Sequence, residues 1–422
     1  MREIIECSRL ANGLVVLTDR MEGVRSATLG FFYRVGSRHE PAELNGISHF
    51  IEHTVFKGTN RRSALDIAIE MDRLGGSVEA FTTHEETGFI AKVIDEQIPE
   101  AFDLIADMLI DPLFDEIELR AERRVIIEEI KMTEDSPEEY LGEIFCRKFF
   151  PDHPLGMSIT GTPKTVRSFD TKTTSRYHRR MYGPNNLIVT AAGNVDHAAI
   201  VKMAKKYFGG DGSGTRVPGT KKPKPASPIV IKRNDNLEQA HLIVATPFVS
   251  DADERRYAAD LLTNILGGGT SSRLWQKVRE ERGLAYNVGA SNAMFHDCGF
   301  FTVYAGTSPK QAGEVVDISI AELGRLIRDG ISTDELLLAK QQAIASILLG
   351  LEDSAARSAT LAQLEMVHGR QISLGETLSN IEAVTKEDIQ QIAEEFFRTE
   401  LIAVAALGDL NGLCVSRRQL AI

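Results

Sequence analysis

Ser48-His49-Phe50-Ile51-Glu52-His53-Thr54 is the stretch from which the rest of the chain is read. If it is helical, His49 and His53 are four residues apart and share a face. Two neutral imidazoles on one face can hold a divalent cation from the same side. Glu52, three residues after His49, falls near that face, where a carboxylate can take a proton from water in metal-assisted hydrolysis. The spacing is H-x-x-E-H, the reverse of the commoner H-E-x-x-H. The bland alternative is a chance pattern on a solvated helix, so the remainder of the chain must supply context.

Two histidines leave a catalytic zinc one protein ligand short, since three plus water is usual. A candidate for the third is Glu129, in Glu122-Arg123-Arg124-Val125-Ile126-Ile127-Glu128-Glu129-Ile130. Glu122 and Glu129 are seven apart and share a helix face, while Glu128 points about 100° away from Glu129. By pattern alone, an ordinary charged helix surface is the commoner origin of such a run.

Composition narrows the function classes. The chain has 422 residues, comfortable for two domains, with 43% hydrophobic and 26% charged residues. A net charge of -12 argues against a nucleic-acid partner. Cys7, Cys146, Cys298 and Cys414 are scattered, with no C-x-x-C pair, so neither a disulfide framework nor a thiolate zinc site is expected. Met1 to Cys7 contains no apolar signal core, and no stretch approaches the roughly 20 apolar residues of a membrane span. The expectation is a cytoplasmic protein without a membrane partner.

Outward from the motif, Asn12-Gly13 predicts a hairpin between Ile4–Leu10 and Leu14–Thr18, followed by a strand over Ser26–Val35. A loop with Pro41, Asn45 and Gly46 leads into the motif helix. Its Ile47, Phe50, Ile51, Thr54 and Val55 are expected to pack inward. A helix over Ser63–Leu74 ends at Gly75-Gly76. Strands over Val78–Thr83 and Thr87–Val93 precede a helical region broken near Asp111-Pro112 and Ser136-Pro137. A helix over Asp170–Tyr182 and a strand over Asn186–Ala192 complete the half. Glycines from Gly209 to Gly214 then run into Pro218, Pro223, Pro225 and Pro228, the composition of a domain junction.

The second half repeats this order. A strand at His241–Thr246 and a helix at Ala252–Leu266 precede strands at Tyr286–Ala293 and Gly299–Ala305. Helices at Pro309–Arg328 and Thr333–Leu351 follow. Glu134-Asp135-Ser136 matches Glu352-Asp353-Ser354, and Thr171-Lys172 matches Thr385-Lys386, at a near-constant offset of about 215 residues. The expected fold is α+β: two tandem homologous domains, each an antiparallel-rich sheet packed with helices. The boundaries are 1–210 for the domain with the motif, 211–228 for the linker and 229–422 for its homologue. The place of His49 to His53 is taken there by Thr263-Asn264-Ile265-Leu266-Gly267, so the second domain has no metal site.

His49-x-x-Glu52-His53 followed by Glu122 and Glu129 resembles the pitrilysin/insulinase family of zinc metallopeptidases, the inverzincins, and in particular its mitochondrial-processing-peptidase-like branch. Further pieces carry the resemblance across the chain: Gly75-Gly76, Ala80-Phe81-Thr82, Glu86-Thr87, His153-Pro154-Leu155, Tyr182-x-Pro184-x-Asn186 and Gly193-Asn194. The resemblance implies one zinc per chain on His49, His53 and Glu129, with Glu52 as general base and Glu122 orienting a ligand histidine. It implies that Arg279 and Tyr286 form an arginine–tyrosine pair that holds a peptide carbonyl and stabilises an oxyanion. Peptide substrates would contact the Ala80-Phe81-Thr82 strand and the loop Gly267-Gly268-Gly269. The implied activity is endopeptidase cleavage of unfolded or extended peptides in a dimeric chamber, each chain forming half of a clamshell. The implied assembly is a homodimer, or a heterodimer with an inactive homologue. The competing class is a non-catalytic presequence-binding or assembly subunit. Glu79 stands where the family frequently has Asn.

Overall fold

The hairpin expected around Asn12-Gly13 is present in the computed structural model, which describes residues 3–210, 214–410 and 412–422. β1 (Ile5–Arg9) and β2 (Val15–Arg20) pair antiparallel, with Gly13 at φ 91 in the turn, a conformation glycine adopts without penalty. β3 (Ser26–Tyr33) follows, and then α1 (Ile47–Thr54), the motif helix. α2 (Ala64–Leu74) starts where Ser63 and Asp66 cap each other reciprocally and ends at left-handed Gly75. β4 (Ser77–Thr82) and β5 (Thr87–Ile94) form the second hairpin. α3 (Ile98–Ile110), α4 (Glu116–Asp135) and α5 (Pro137–Phe149) are separated at the two proline sites, because proline cannot continue a helix but suits its first turn. α6 (Pro163–Arg167), α7 (Thr171–Met181) capped by Asp170, β6 (Leu187–Gly193) and α8 (His197–Phe208) close the first half.

The second half comprises β7 (Ile229–Arg233), β8 (Ala240–Phe248), α9 (Arg256–Gly267), a π-helical turn at Trp275–Glu280, β9 (Ala285–Met294) and β10 (Gly299–Thr307). Then come α10 (Ala312–Asp329), α11 (Thr333–Gly350), α12 (Ser354–His368), α13 (Leu374–Ala383), α14 (Lys386–Phe396) and β11 (Ala403–Gly408). α9 begins four residues later than expected, because Asp253 accepts from both the backbone and the side chain of Arg255 and holds a turn there. α6, α8, β7, the helices after α11 and β11 were not among the expected elements.

Two sheets result. The first has the order β1-β2-β6-β3-β5-β4 and the second β7-β11-β8-β10-β9. In the first, β2 and β6 are parallel and every other neighbouring pair is antiparallel; in the second, only β7 and β11 are parallel. The second order is therefore the first without β1. Gly193 and Gly408 end equivalent strands, both at positive φ. Internal homology is thus visible in topology as well as in the short identities.

The compact units are not the contiguous halves 1–210 and 229–422. One comprises Met1–Met132, Met157–Lys221 and Leu348–Ser373; the other comprises Thr133–Gly156, Lys222–Ile347 and Leu374–Ile422. The reason is an exchange of helices. In the first unit, one sheet face carries Leu14, Val16, Leu29 and Phe31 against α3 and α8, and the other carries Val15, Leu17, Phe32 and Ile188. That second face is covered by α12, from the second half of the sequence. In the second unit, the matching face on β8 and β11 is covered by α5, from the first half, through Leu141, Phe145 and Phe149.

The two covers differ in chemistry. α5 is apolar and aromatic. α12 docks through buried polar contacts: Thr28 to Ser354 (2.8 Å), Thr190 to Ser358 (2.6 Å) and Asp19 to Arg357 (2.6 Å). Gly30 permits this approach, since a Cβ there would lie 2.9 Å from Ser358 Oγ and closer still to Thr190 Oγ1. The linker is tied down at both ends, by Thr215 and Val217 to Arg180 and Asn186, and by Pro228 to Val404; its Asp211-Gly212-Ser213 lies outside the described residues. Among the described residues no helix is long and apolar enough to cross a membrane, and the four cysteines are free thiols.

Candidate metal centre

α1 is eight residues long, and Ile47, Phe50 and Ile51 are completely buried. Burying that stripe turns His49 and His53 the other way, with ring centroids 4.6 Å apart. α4 presents a buried stripe of Leu119, Glu122, Ile126 and Ile130. A carboxylate therefore sits within an apolar stripe, and Glu129 lies two turns along from it. His49, His53 and Glu129 converge so that one ligand atom from each lies within 4.8 Å of the others, the one such group among the described residues.

The distances suit a metal better than they suit hydrogen bonds. His49 Nε2 is 3.5 Å from Glu129 Oε1, and His53 Nε2 is 3.7 Å from Glu129 Oε2. Good N–H···O bonds are shorter, about 2.7–3.2 Å. Donors on a tetrahedral zinc with bonds of about 2.0–2.2 Å stand roughly 3.3–3.6 Å apart. Two imidazoles and a carboxylate are also a zinc donor set, so the residues fit this ion.

The surrounding groups fix these side chains. His53 Nδ1 is 3.2 Å from Glu122 Oε2, which directs Nε2 at the ligand cluster. Glu122 Oε1 is 2.8 Å from Lys57 Nζ. Burial alone would raise the Glu122 carboxyl, but His53 and Lys57 outweigh it and hold it below the ordinary range. Burial opposes protonation of His53, yet the Glu122 bond and the charges of Glu52, Glu129 and Glu122 hold its pKa above 6.5. Glu129 is lowered chiefly by the His49 imidazole 3.5 Å away, against its own burial. The field that raises the His53 pKa is one that favours a cation.

Glu52 Oε2 accepts a 2.7 Å hydrogen bond from Thr82 Oγ1 at the end of β4. Thr82, expected to contact substrate, thus has its hydroxyl committed to Glu52. Ala80 packs toward the main core, and Phe81 packs on the opposite face near Phe32. β4 is the last strand of its sheet, so its free backbone edge is what it can offer to a ligand.

In the second unit, Arg279 and Tyr286 meet. Arg279 Nη1 donates to the Tyr286 carbonyl at 3.0 Å, and the guanidinium lies 4.6 Å from the Tyr286 ring and 4.1 Å from that of Trp275. Tyr286 is 79% exposed, so its phenol is accessible. Trp275, half-buried against the core of this unit, flanks the arginine and donates to Glu280. Gly267 ends α9 against β9, where a Cβ would strike the Ala290 backbone; Gly268 is exposed, and Gly269 has open space around its Cβ position. Sequence reasoning missed Lys57. Its signal was the four-residue spacing from His53, which continues the same helical face.

Comparison with known proteins adds independent findings. The family model described as Insulinase (Peptidase family M16) matches residues 15–163, and that of the Peptidase M16 inactive domain matches 171–343. Curated relatives named as uncharacterized zinc proteases include one from Streptomyces coelicolor, 39% identical over 95% of this chain and 89% of its own length. Another, from Bacillus subtilis, is 37% identical over 95% of this chain and 98% of its own. Among solved structures, a protease from Helicobacter pylori matches with a TM-score of 0.89 at 23% identity, covering 97% of this chain and all of that one, a likeness of fold.

Proposed function

This chain belongs to the insulinase family of peptidases, and from that premise we propose that it is a zinc-dependent endopeptidase acting on unfolded or extended peptides. The observation that carries the reading is the convergence of His49, His53 and Glu129, with Glu52 fixed beside them by Thr82. His49, His53 and Glu129 would hold one zinc. When bound, that ion supplies Lewis acidity toward a peptide carbonyl and acidifies water. Glu52 takes the proton from the attacking water and passes it to the leaving amine. Thr82 orients Glu52; Glu122 holds the His53 tautomer and ring angle, while Lys57 balances the charge of Glu122.

The substrate would add as an extended strand along the free edge of β4. Such pairing reads backbone more than side chains and leaves sequence preference loose. The same reading assigns Arg279 to a peptide carbonyl and the exposed Tyr286 phenol to the oxyanion. It takes a homodimeric chamber as the working assembly and the cytoplasm as its place. A heterodimer with an inactive homologue is the other outcome of a mass measurement in solution.

The test is a quenched fluorescent peptide assayed with and without chelator, alongside metal analysis. Glu52→Gln should retain one zinc per chain and lose cleavage. A fully active Glu52→Gln removes Glu52 from the base role. A wild-type chain that binds peptide but neither holds zinc nor cleaves would instead be a non-catalytic binding subunit.

A further inference from the structure

α1 is short, and its own N-terminus supplies no side-chain cap. The N-cap residue is Gly46, at φ 93, and it makes no side-chain hydrogen bond. No larger residue fits there, since a Cβ would lie 2.7 Å from Gly161 Cα and from the Thr160 carbonyl. A helix leaves its first N–H groups without intrahelical acceptors, and burying them unpaired is unfavourable. Here the acceptor arrives from six and eight residues upstream. Glu40 Oε2 accepts from Gly46 N and Oε1 from Ser48 N, both at 2.7 Å, with Asn45 Nδ2 at 3.4 Å. Both carboxylate oxygens are committed, and Glu40 is only 5% exposed. A carboxylate at this end also faces the positive pole of the helix.

Glu40 is itself anchored to the hairpin that orients Glu52. The turn that precedes it bonds to the β4–β5 connection, Ser37 N to Thr83 O at 3.1 Å and Arg38 N to His84 O at 2.8 Å. Thr82, next to that connection, holds Glu52. Hydrogen bonds therefore form a closed circuit: Glu40 to the first turn of α1, α1 through Glu52 to β4, and the β4–β5 turn back to the segment carrying Glu40. His49 is the residue after Ser48, and His53 follows one turn later.

We propose that Glu40 is a positioning residue, whose bidentate grip on Gly46 N and Ser48 N sets the axial position and rotation of α1 and so places His49, His53 and Glu52. This rests on the zinc-peptidase reading. Rigid placement matters because a misplacement of about 1 Å can lower turnover roughly 100-fold, and disturbing groups that orient a ligand typically weakens metal binding about 10–100-fold.

The experiment compares wild type, Glu40→Gln and Glu40→Ala by chelator competition for zinc, by kcat and KM on a quenched peptide, by thermal unfolding, and by amide exchange. Glu40→Gln keeps one oxygen acceptor but turns an NH2 toward a backbone N–H. It should remain folded, lose about 10-fold or more in zinc affinity, and lose kcat far more than KM. Its α1 amides should exchange faster while those of β3 and β6 keep their protection. If Glu40→Ala fails to fold, Glu40→Gln decides. A folded Glu40→Gln with zinc affinity, kcat and α1 exchange within twofold of wild type overturns the proposal. So does a fall in melting temperature with kcat per zinc-loaded molecule unchanged, the mark of a merely structural role. If the wild type proves inactive, the function reading falls, while zinc affinity and α1 exchange still decide the role of Glu40.

Discussion

Replacing Arg357 by Met should destabilise the first unit more than losing either hydroxyl contact of α12. Arg357 and Asp19 are a buried ion pair, with side chains 3% and 4% exposed and Nη2–Oδ2 at 2.5 Å. Removing one partner of such a pair typically costs about 3–5 kcal/mol, because the remaining charge is left in a poorly solvating site. The Thr28–Ser354 and Thr190–Ser358 bonds on the same interface are worth about 1 kcal/mol each. Burial already raises the Asp19 carboxyl despite Arg357, so the orphaned group can escape part of the penalty by taking up a proton, and the loss should be smaller in acid. With a urea dependence of about 1–3 kcal/mol per molar, the midpoint of the first unit should fall by about 1 M or more. Far-UV circular dichroism follows both units. Trp275, the single tryptophan, reports on the second. Asp19→Leu with Arg357→Met should recover most of the loss, since an apolar pair of similar volume removes the buried charge altogether. An unmoved dichroism midpoint in Arg357→Met, or a double variant as unstable as the single, would refute the view that α12 is an integral, charge-registered part of the first unit.

Other consequences are checkable. Zinc binding competes with the proton whose hold on His53 the surrounding carboxylates strengthen, so zinc affinity should drop as pH falls; Glu122→Gln should move that drop to lower pH and weaken binding at high pH by about 10–100-fold, measured by chelator competition. His178 is buried and its pKa is lowered to about 4, so the unfolded chain binds a proton between pH 6.5 and 4 that the folded chain does not. Stability should therefore fall as pH drops through that window, by up to about 3 kcal/mol, and His178→Gln should flatten that limb of the stability profile; an unchanged slope would remove His178 as its cause. Tyr286→Phe and Arg279→Ala should lower turnover with zinc content intact, and unchanged kinetics would make the pair a structural one.

Much of the site was legible from local spacing. His49 and His53 share a face because α1 is a helix, and Glu122 and Glu129 share one because α4 is. The blank at Thr263 to Gly267 was readable because the repeat keeps its register. What spacing could not supply was the meeting of α1 with α4. Nothing within the Glu122–Ile130 run distinguishes a ligand helix from a solvated one until Leu119, Ile126 and Ile130 are seen to be buried with Glu122 among them. Lys57 and Glu40 were missed for a related reason: neither residue's hydrogen bonds are readable until the fold orients the partners, Glu122 on α4 beside Lys57 and the first-turn N–H groups of Gly46 and Ser48 beside Glu40.

The sequence by itself determined the type of the elements it placed, the two-copy architecture and the single metal motif, because hydrophobic period, turn residues and ligand spacing are local properties. Only the tertiary structure decided which sheet each helix covers. α5 and α12 hold equivalent places in the repeat, and either could have folded back onto the sheet of its own half. The choice rests on long-range complementarity. Phe145 and Phe149 find Phe300 in the second unit, while Ser354, Arg357 and Ser358 find Thr28, Asp19 and Thr190 in the first. These contacts join residues more than 100 positions apart, a separation that no local pattern reports.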